Sequence, residues 1–380
     1  MTTVSPAVTP EERERLHDAF VRMCEIESPS RRERGMADVL TRELRELGLT
    51  VEEDDSGTQT GSEAGNLLAR LPGPEGARTI LLSAHMDTVP LAAPVEVVQE
   101  NGSFRNANQG ILGADNKAAV AVIMAALRRL VRDGSPVGLE ILLTTCEEHA
   151  LAGAEAFDPT RLRAEYGFVF DHATPIGELI VASPTYYRLV AHVHGLAAHA
   201  GLHPERGHNA IAAAALAVSR LRLGRLDPET TANVGLIEGG TAPNIVAERC
   251  RVELEARSIE RERATQVVSG MVDTITGAAA EAECDVECEV EELFRGYRLS
   301  RSQAAVRVAA EALTAVVGHE PRHVSSGGGS DANVLIEAGL SCVNVANGTT
   351  GAHQPDEQVS ADALDTMLEV VLALVARSAA

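Results

Sequence analysis

Apolar positions follow two different rhythms along the chain, and the rhythm changes at about residue 182. Before that point, short apolar runs alternate with longer stretches of helical period. Segments 66–71, 79–84, 139–145 and 166–170 read as strands. Several of these runs are continuous rather than alternating, as expected for strands covered on both faces. Thr9-Pro10-Glu11-Glu12 starts a helix that runs to about Ile26, with a cap, a proline in the first turn and a glutamate three residues after the threonine. A second helix is predicted from about Arg31 to Leu47, stopped by Gly48. The stretch DNKAAVAVIMAALRRLVRDG predicts a third, with Asp115 at its cap, and LAGAEAF opens another. Strand alternating with helix predicts an α/β fold with a mostly parallel sheet and helices on both faces.

Beyond residue 182 the order becomes strand (187–195), helix (209–223), two strands in TTANVGLIEGG and IVAERCRVELEARS, a helix in ERERATQVVSGMVDTITGAAAEA, and a strand in CDVECEVEEL. This βαββαβ order predicts a small α+β unit inserted into the first domain. The earlier rhythm resumes at about residue 296. It gives helix 301–317, strand 321–325, helix 331–338, strand 341–346 and helix 361–377. The expected organisation is therefore an α/β domain of residues 1–182 and 296–380, interrupted by an α+β domain of residues 183–295.

Composition narrows the partners. The 380 residues carry a formal charge of −22 and are 45% hydrophobic. An acidic surface repels phosphate backbones and anionic lipid, which argues against nucleic acid and membrane partners. No run reaches the roughly 18 apolar residues of a membrane helix. The N-terminal MTTVSPAVTPEERERL lacks a basic start followed by an apolar stretch, so it reads as no secretory signal. The 6 cysteines form no C-x-x-C pair and read as reduced, mostly buried thiols of a cytoplasmic protein.

The candidate chemistry lies where predicted strands end. His85 closes TILLSAH, Glu147 and Glu148 follow LLTTC, and Asp171 follows FVF. Asp115 starts the third helix and His353 lies in a glycine-rich loop. Ligands of open α/β sheets bind at the carboxyl ends of strands. Imidazoles and carboxylates converging there can hold two divalent ions with a water between them, the equipment of a metal-dependent hydrolase. Asp87, two residues after His85, suits the acceptor that a metal-bound imidazole needs on its other nitrogen. In the pair Glu147-Glu148, one carboxylate can bind metal while the other acts as general base. Taken singly, each residue has an ordinary reading as a cap, a turn or a surface group. Lys117, the only lysine among 33 basic residues, falls in a first helical turn, where its charge opposes the helix dipole. It is expected to balance the acidic site.

The runs SAHMDTV, LGADNKA, TTCEEHALAGA, VFDHA, AAHAG, GGTAPNIVAE, EARS and GAHQPDE, in this order over nearly the full length, resemble the co-catalytic di-zinc exopeptidases. That family includes peptidase T, dimeric bacterial carboxypeptidases and aminoacylases. The likeness is greatest to peptidase T-like members. It implies that Asp115 bridges two metal ions, most often zinc, with cobalt or manganese also suited to these ligands. His85 and Asp171 would complete one ion's shell, and Glu148 and His353 the other's. Asp87 would orient His85, and Glu147 would take a proton from the bridging water and return it to the leaving amine. The inserted domain would be a lid that also forms a homodimer, with His199 reaching the partner subunit's site. Asn244 and Arg257 would bind substrate, although Arg257 could instead pair with Glu255 or Glu260. In SSGGGSDAN the amides of Gly328 and Gly329 could cradle a substrate carboxylate, or the segment could be a plain loop. Asn116 and His172 depart from the family pattern. The implied activity is tripeptide aminopeptidase. The alternatives are deacylation of N-acyl amino acids, exo-carboxypeptidase action, and a non-catalytic metal-binding module.

Overall fold

A computed structural model describes residues 7–379; the first six residues of the stretch read above as no secretory signal lie outside it. The chain forms two compact units. The first holds the residues through Val181, Leu299–Ser325 and those from Ser330 onward; the second is Ala182–Arg298 with Ser326–Gly329. The short loop joins the second unit through its own bonds. Ser326 N donates to the Ala182 carbonyl, and Ser183 Oγ donates to the Gly328 carbonyl at 2.9 Å.

In the first unit, strands run side by side in the order Thr50–Glu53, Leu67–Leu71, Gly138–Thr144, Thr79–His85, Tyr166–Val169, Ser341–Val345 and Glu178–Ser183. The four from Gly138–Thr144 to Ser341–Val345 are mutually parallel. The flanking strands pair antiparallel. All of Gly138–Thr144 is buried, as is Thr79–His85 apart from its first residue. Strands buried along their length need cover on both faces, which is why their sequences read as unbroken apolar runs. Register places His85 opposite Thr144, and Ser83 opposite Val169. The residues that follow these strands therefore emerge at one edge.

Helix Ala114–Asp133 packs against Pro10–Cys24 and Ala361–Ser378. Its opening turn differs from the expectation. Asp115 and Asn116 have non-helical dihedrals, the N-cap position is Gly113 at φ 77°, and no side chain caps the helix. Asp115 is therefore not a cap, and its carboxylate is left for other partners.

A further antiparallel sheet was not legible in the sequence. Val97–Glu100, Ser103–Asn106, Gln358–Ser360 and Thr349–Thr350 pair in four short strands. Strands this short carry too few alternating positions to show a period. Its consequence is a hairpin, Thr349–Ser360, that carries His353.

The second unit is a five-stranded antiparallel sheet with helices Ala210–Arg220 and Arg261–Glu281 packed on it. Strand Arg249–Ser258 is buried at every second residue. Leu189, Val252 and Leu254 meet Met271 and Ile275 in its core. Gly224–Asp227 adds an edge strand to the expected βαββαβ order. All six cysteines are free, and every one except Cys288 is buried. Among the described residues, no helix is long and apolar enough to cross a membrane.

Candidate metal centre

Six of the seven residues assigned above to the ion pair and its base touch one another in the first unit, and Asp87 stands directly behind them. His85 is buried at the end of its strand, and its Nδ1 lies 3.0 Å from the Asp87 carbonyl oxygen. That contact requires Nδ1 to carry the proton, so Nε2 presents a lone pair. Nε2 faces Asp115 Oδ1 at 3.4 Å and Asp171 Oδ1 at 3.5 Å. On the other side of Asp115, Oδ2 is 3.5 Å from His353 Nε2, which is 2.8 Å from Glu148 Oε1. Asp115 thus directs one oxygen to each of two ligand pairs.

The donor chemistry fits cations. His85 Nε2 and Asp115 Oδ1 are buried and have no hydrogen-bond partner among the described residues. Two acceptors facing each other in a protein interior need a positive ion or a proton between them. Ligand atoms of His85, Glu147 and Asp171 lie within 4.8 Å of one another, and so do those of His85, Asp115 and Glu148. Burial, then the charges of Asp171, Glu148 and Asp331, push the Glu147 carboxyl well above its usual range against the pull of His85. Hydrogen bonds to Asp115 and Glu148 raise the His353 imidazole to about 10. Imidazole and carboxylate ligands of this number suit divalent transition metals.

The two glutamates reach the cluster through an abrupt turn. Cys146, Ala150 and Leu151 all adopt positive φ, at 50°, 55° and 63°. Such backbone is unfavourable for residues with a Cβ and tends to occur at functional sites. Gly153 closes the turn, because a Cβ there would lie 1.8 Å from the Thr145 carbonyl oxygen.

Buried acceptors grip the backbone beside each strand-end ligand. Asp87 does more than orient His85: its carboxylate accepts from Glu147 N at 3.0 Å, Glu148 N at 3.2 Å and Ser30 Oγ at 2.6 Å. Glu33 accepts from Cys146 N at 3.0 Å. Asn344 takes Asp171 N at 2.9 Å and returns a bond to the Asp171 carbonyl at 2.7 Å, extending the ladder of the adjacent strand. Glu357 accepts from three amides around Asp115. Glu33, Asn344 and Glu357 were missed in the sequence, where nothing local marks an acceptor for a distant amide. Asp87→Ala is expected to destabilise the fold by about 3 kcal/mol, since three donors lose their acceptor. Urea unfolding of the chelated protein measures it, and a change within about 0.5 kcal/mol would contradict the clamp.

Lys117 does not serve as expected. Its Nζ donates to the Ile26 carbonyl, and its acidic neighbours are Glu357 and Glu27 rather than the ligand carboxylates. The carbonyl of His172 accepts from Thr174 N and Asn347 N, and its imidazole is in neither ligand group.

His199, Asn244, Arg257, Gly328 and Gly329 belong to the second unit. His199 is exposed and bridges to Ile245, while Ala200 N donates to the Asn244 carbonyl. Arg257 stacks 4.0 Å over Tyr186, donates to Glu255 and reaches the Gly327 carbonyl at 3.4 Å. The Gly328 amide is engaged by Ser326 Oγ at 3.0 Å.

Imidazoles and carboxylates converging at strand ends, with one aspartate facing a histidine through each of its oxygens, mark a metal-dependent hydrolase. Within that class the chain belongs to peptidase family M20/M25/M40, whose family model matches residues 81–377. It is 37% identical to the Bacillus subtilis protein YqjE over 366 residues, 96% of this chain and 98% of that one. Aminopeptidase PepT from Bacillus cereus superposes with a TM-score of 0.88 at 36% identity, covering 97% of this chain and 99% of that chain. A Staphylococcus aureus tripeptidase superposes with a TM-score of 0.92 at 31% identity, covering 97% and 98%.

Proposed function

We propose that the protein is a peptidase T-like aminopeptidase that hydrolyses an amide bond in small peptides, tripeptides above all, with two divalent ions that are zinc in the native enzyme. The observation that carries the two-ion reading is Asp115, one oxygen toward His85 and the other toward His353. The names borne by the B. cereus and S. aureus proteins support the substrate class. His85, Asp115 and Asp171 would hold one ion, and Asp115, Glu148 and His353 the other. Ions bound there would supply a Lewis acid for the scissile carbonyl and lower the pKa of a water. Glu147 accepts the proton of the attacking water and delivers it to the departing amine. Its raised affinity for a proton, caused first by burial, suits a group that must take a proton and give it back. Asp87 keeps His85 in the tautomer that offers Nε2.

The same reading makes the enzyme a cytoplasmic homodimer joined through the second unit. Leu196, Leu202 and Ile245 flank His199 and are exposed. Apolar groups beside a polar one suit a surface that another chain covers. His199 would then act on the partner subunit's substrate, with Asn244, Arg257 and the Gly328–Gly329 loop binding its ends.

A panel of di- and tripeptides with free or blocked ends, supplied in turn with zinc, cobalt and manganese, tests the assignment. Cleavage of free-amine tripeptides, and loss of it on blocking the amine, is the expected result. Preference for N-acyl amino acids would make the protein a deacylase, and tolerance of a blocked amine with dependence on a free carboxylate would make it a carboxypeptidase.

A further inference from the structure

Glu357 lies on the same hairpin as His353, four residues further along, and is 1% exposed. Its Oε2 accepts from Leu112 N and Gly113 N, each at 2.7 Å, and its Oε1 accepts from Asp115 N at 2.8 Å. A buried carboxylate holding three amides is a strong, directional restraint. A remote carboxylate often satisfies the free amides of a helix start, and stability alone would account for that. Here the restrained residues are not helical. Asp115 has ψ 101° and Asn116 has φ −120°, so helix geometry does not set where Asp115 points. What sets it is the bond from its own amide to Glu357. The same side chain is covalently part of the loop that presents His353, whose Nε2 faces Asp115 Oδ2 at 3.5 Å. Two of the three side chains assigned to that ion position, Asp115 and His353, therefore hang on one carboxylate, while Glu148 N is held by Asp87. At the other position only the shared Asp115 does: His85 is fixed through Asp87, and Asp171 through Asn344.

We propose that Glu357 is a positioning residue that sets the spacing of Asp115 and His353, and so governs the ion held by Asp115, Glu148 and His353 more strongly than the one that shares only Asp115 with it. The proposal rests on the two-ion reading above. Glutamine at this position keeps the volume but turns an NH2 donor toward backbone donors. Glu357→Gln is expected to bind the ion of Asp115, Glu148 and His353 about 10- to 100-fold more weakly, and the ion of His85, Asp115 and Asp171 with a smaller loss.

The experiment is a calorimetric titration of chelated wild-type and Glu357→Gln protein with cobalt, read in parallel by the visible absorption of the cobalt ions. Two ions bound by the wild type sustain the two-ion reading, and one ion would sink that reading whatever the variant does. Given two, a loss in Glu357→Gln concentrated in the same step that His353→Ala removes, with a smaller change in the other step, supports the positioning role. Unchanged affinities, or equal weakening of both steps, overturn it. Should the glutamine variant fail to fold, Glu357→Asp keeps the charge but shortens the reach, and is expected to weaken the step that His353→Ala removes by about tenfold, more than the other. Wild-type affinities in that variant would overturn the proposal equally well.

Discussion

Glu147→Gln is expected to bind two ions as tightly as the wild type and to lower kcat by about 10³-fold, within the range that general base catalysis contributes. The substitution keeps the side-chain volume, so the buried turn should remain intact. What it removes is the ability to accept a proton. The geometry makes the test necessary, because Glu147 lies close enough to His85 and Asp171 to be a ligand itself. The two roles separate cleanly. A ligand loses metal when its carboxylate becomes an amide, whereas a base loses turnover with metal retained. Elemental analysis together with steady-state kinetics on a tripeptide decides between them. Ion loss in step with activity would move Glu147 into the ligand set.

Asp115→Ala should abolish activity through a different route, by emptying both ion positions. It is the residue whose two oxygens approach histidines on opposite sides, at 3.4 Å from His85 and 3.5 Å from His353. Without it, each position keeps only part of its shell, and the remaining carboxylates repel one another in a buried space. Both bound ions should be lost after dialysis at micromolar zinc. His353→Ala, by comparison, should lose one. Retention of one ion by Asp115→Ala would mean that the ions do not share a ligand. Loss of metal should also lower thermal stability, since ions that bind only the folded state stabilise it by mass action.

These expectations rest on residues of unequal visibility in the sequence. His85, Glu147-Glu148 and Asp171 stood out because unbroken apolar runs stop at charged or imidazole groups, and the parallel register brings those stops together. The βαββαβ order of the second unit was equally plain, because its strands alternate in burial. Asp115 was visible as a helix-start residue but was misread as a cap. Its dihedrals and its partner Glu357 are tertiary facts, separated by 242 residues of chain. Lys117 was linked to the ligands through proximity in sequence. Folding instead buries it beside Ile26 and Glu357, which no local pattern reports. The hairpin carrying His353 was hidden for another reason: two- and three-residue strands have no period to read.

That hairpin has a bearing on how the protein is made. His85, Asp115, Glu147, Glu148 and Asp171 are all synthesised before the second unit is begun, and they could bring together a cluster of carboxylates on their own. His353 and the clamp on Asp115 emerge only after the whole second unit has been synthesised. A nascent chain can therefore fold much of its sheet and still lack the groups that complete the centre. Hydrolytic competence is deferred until the residues through Glu357 have been made, so chains that stop short of them should be poor enzymes even when they are partly folded.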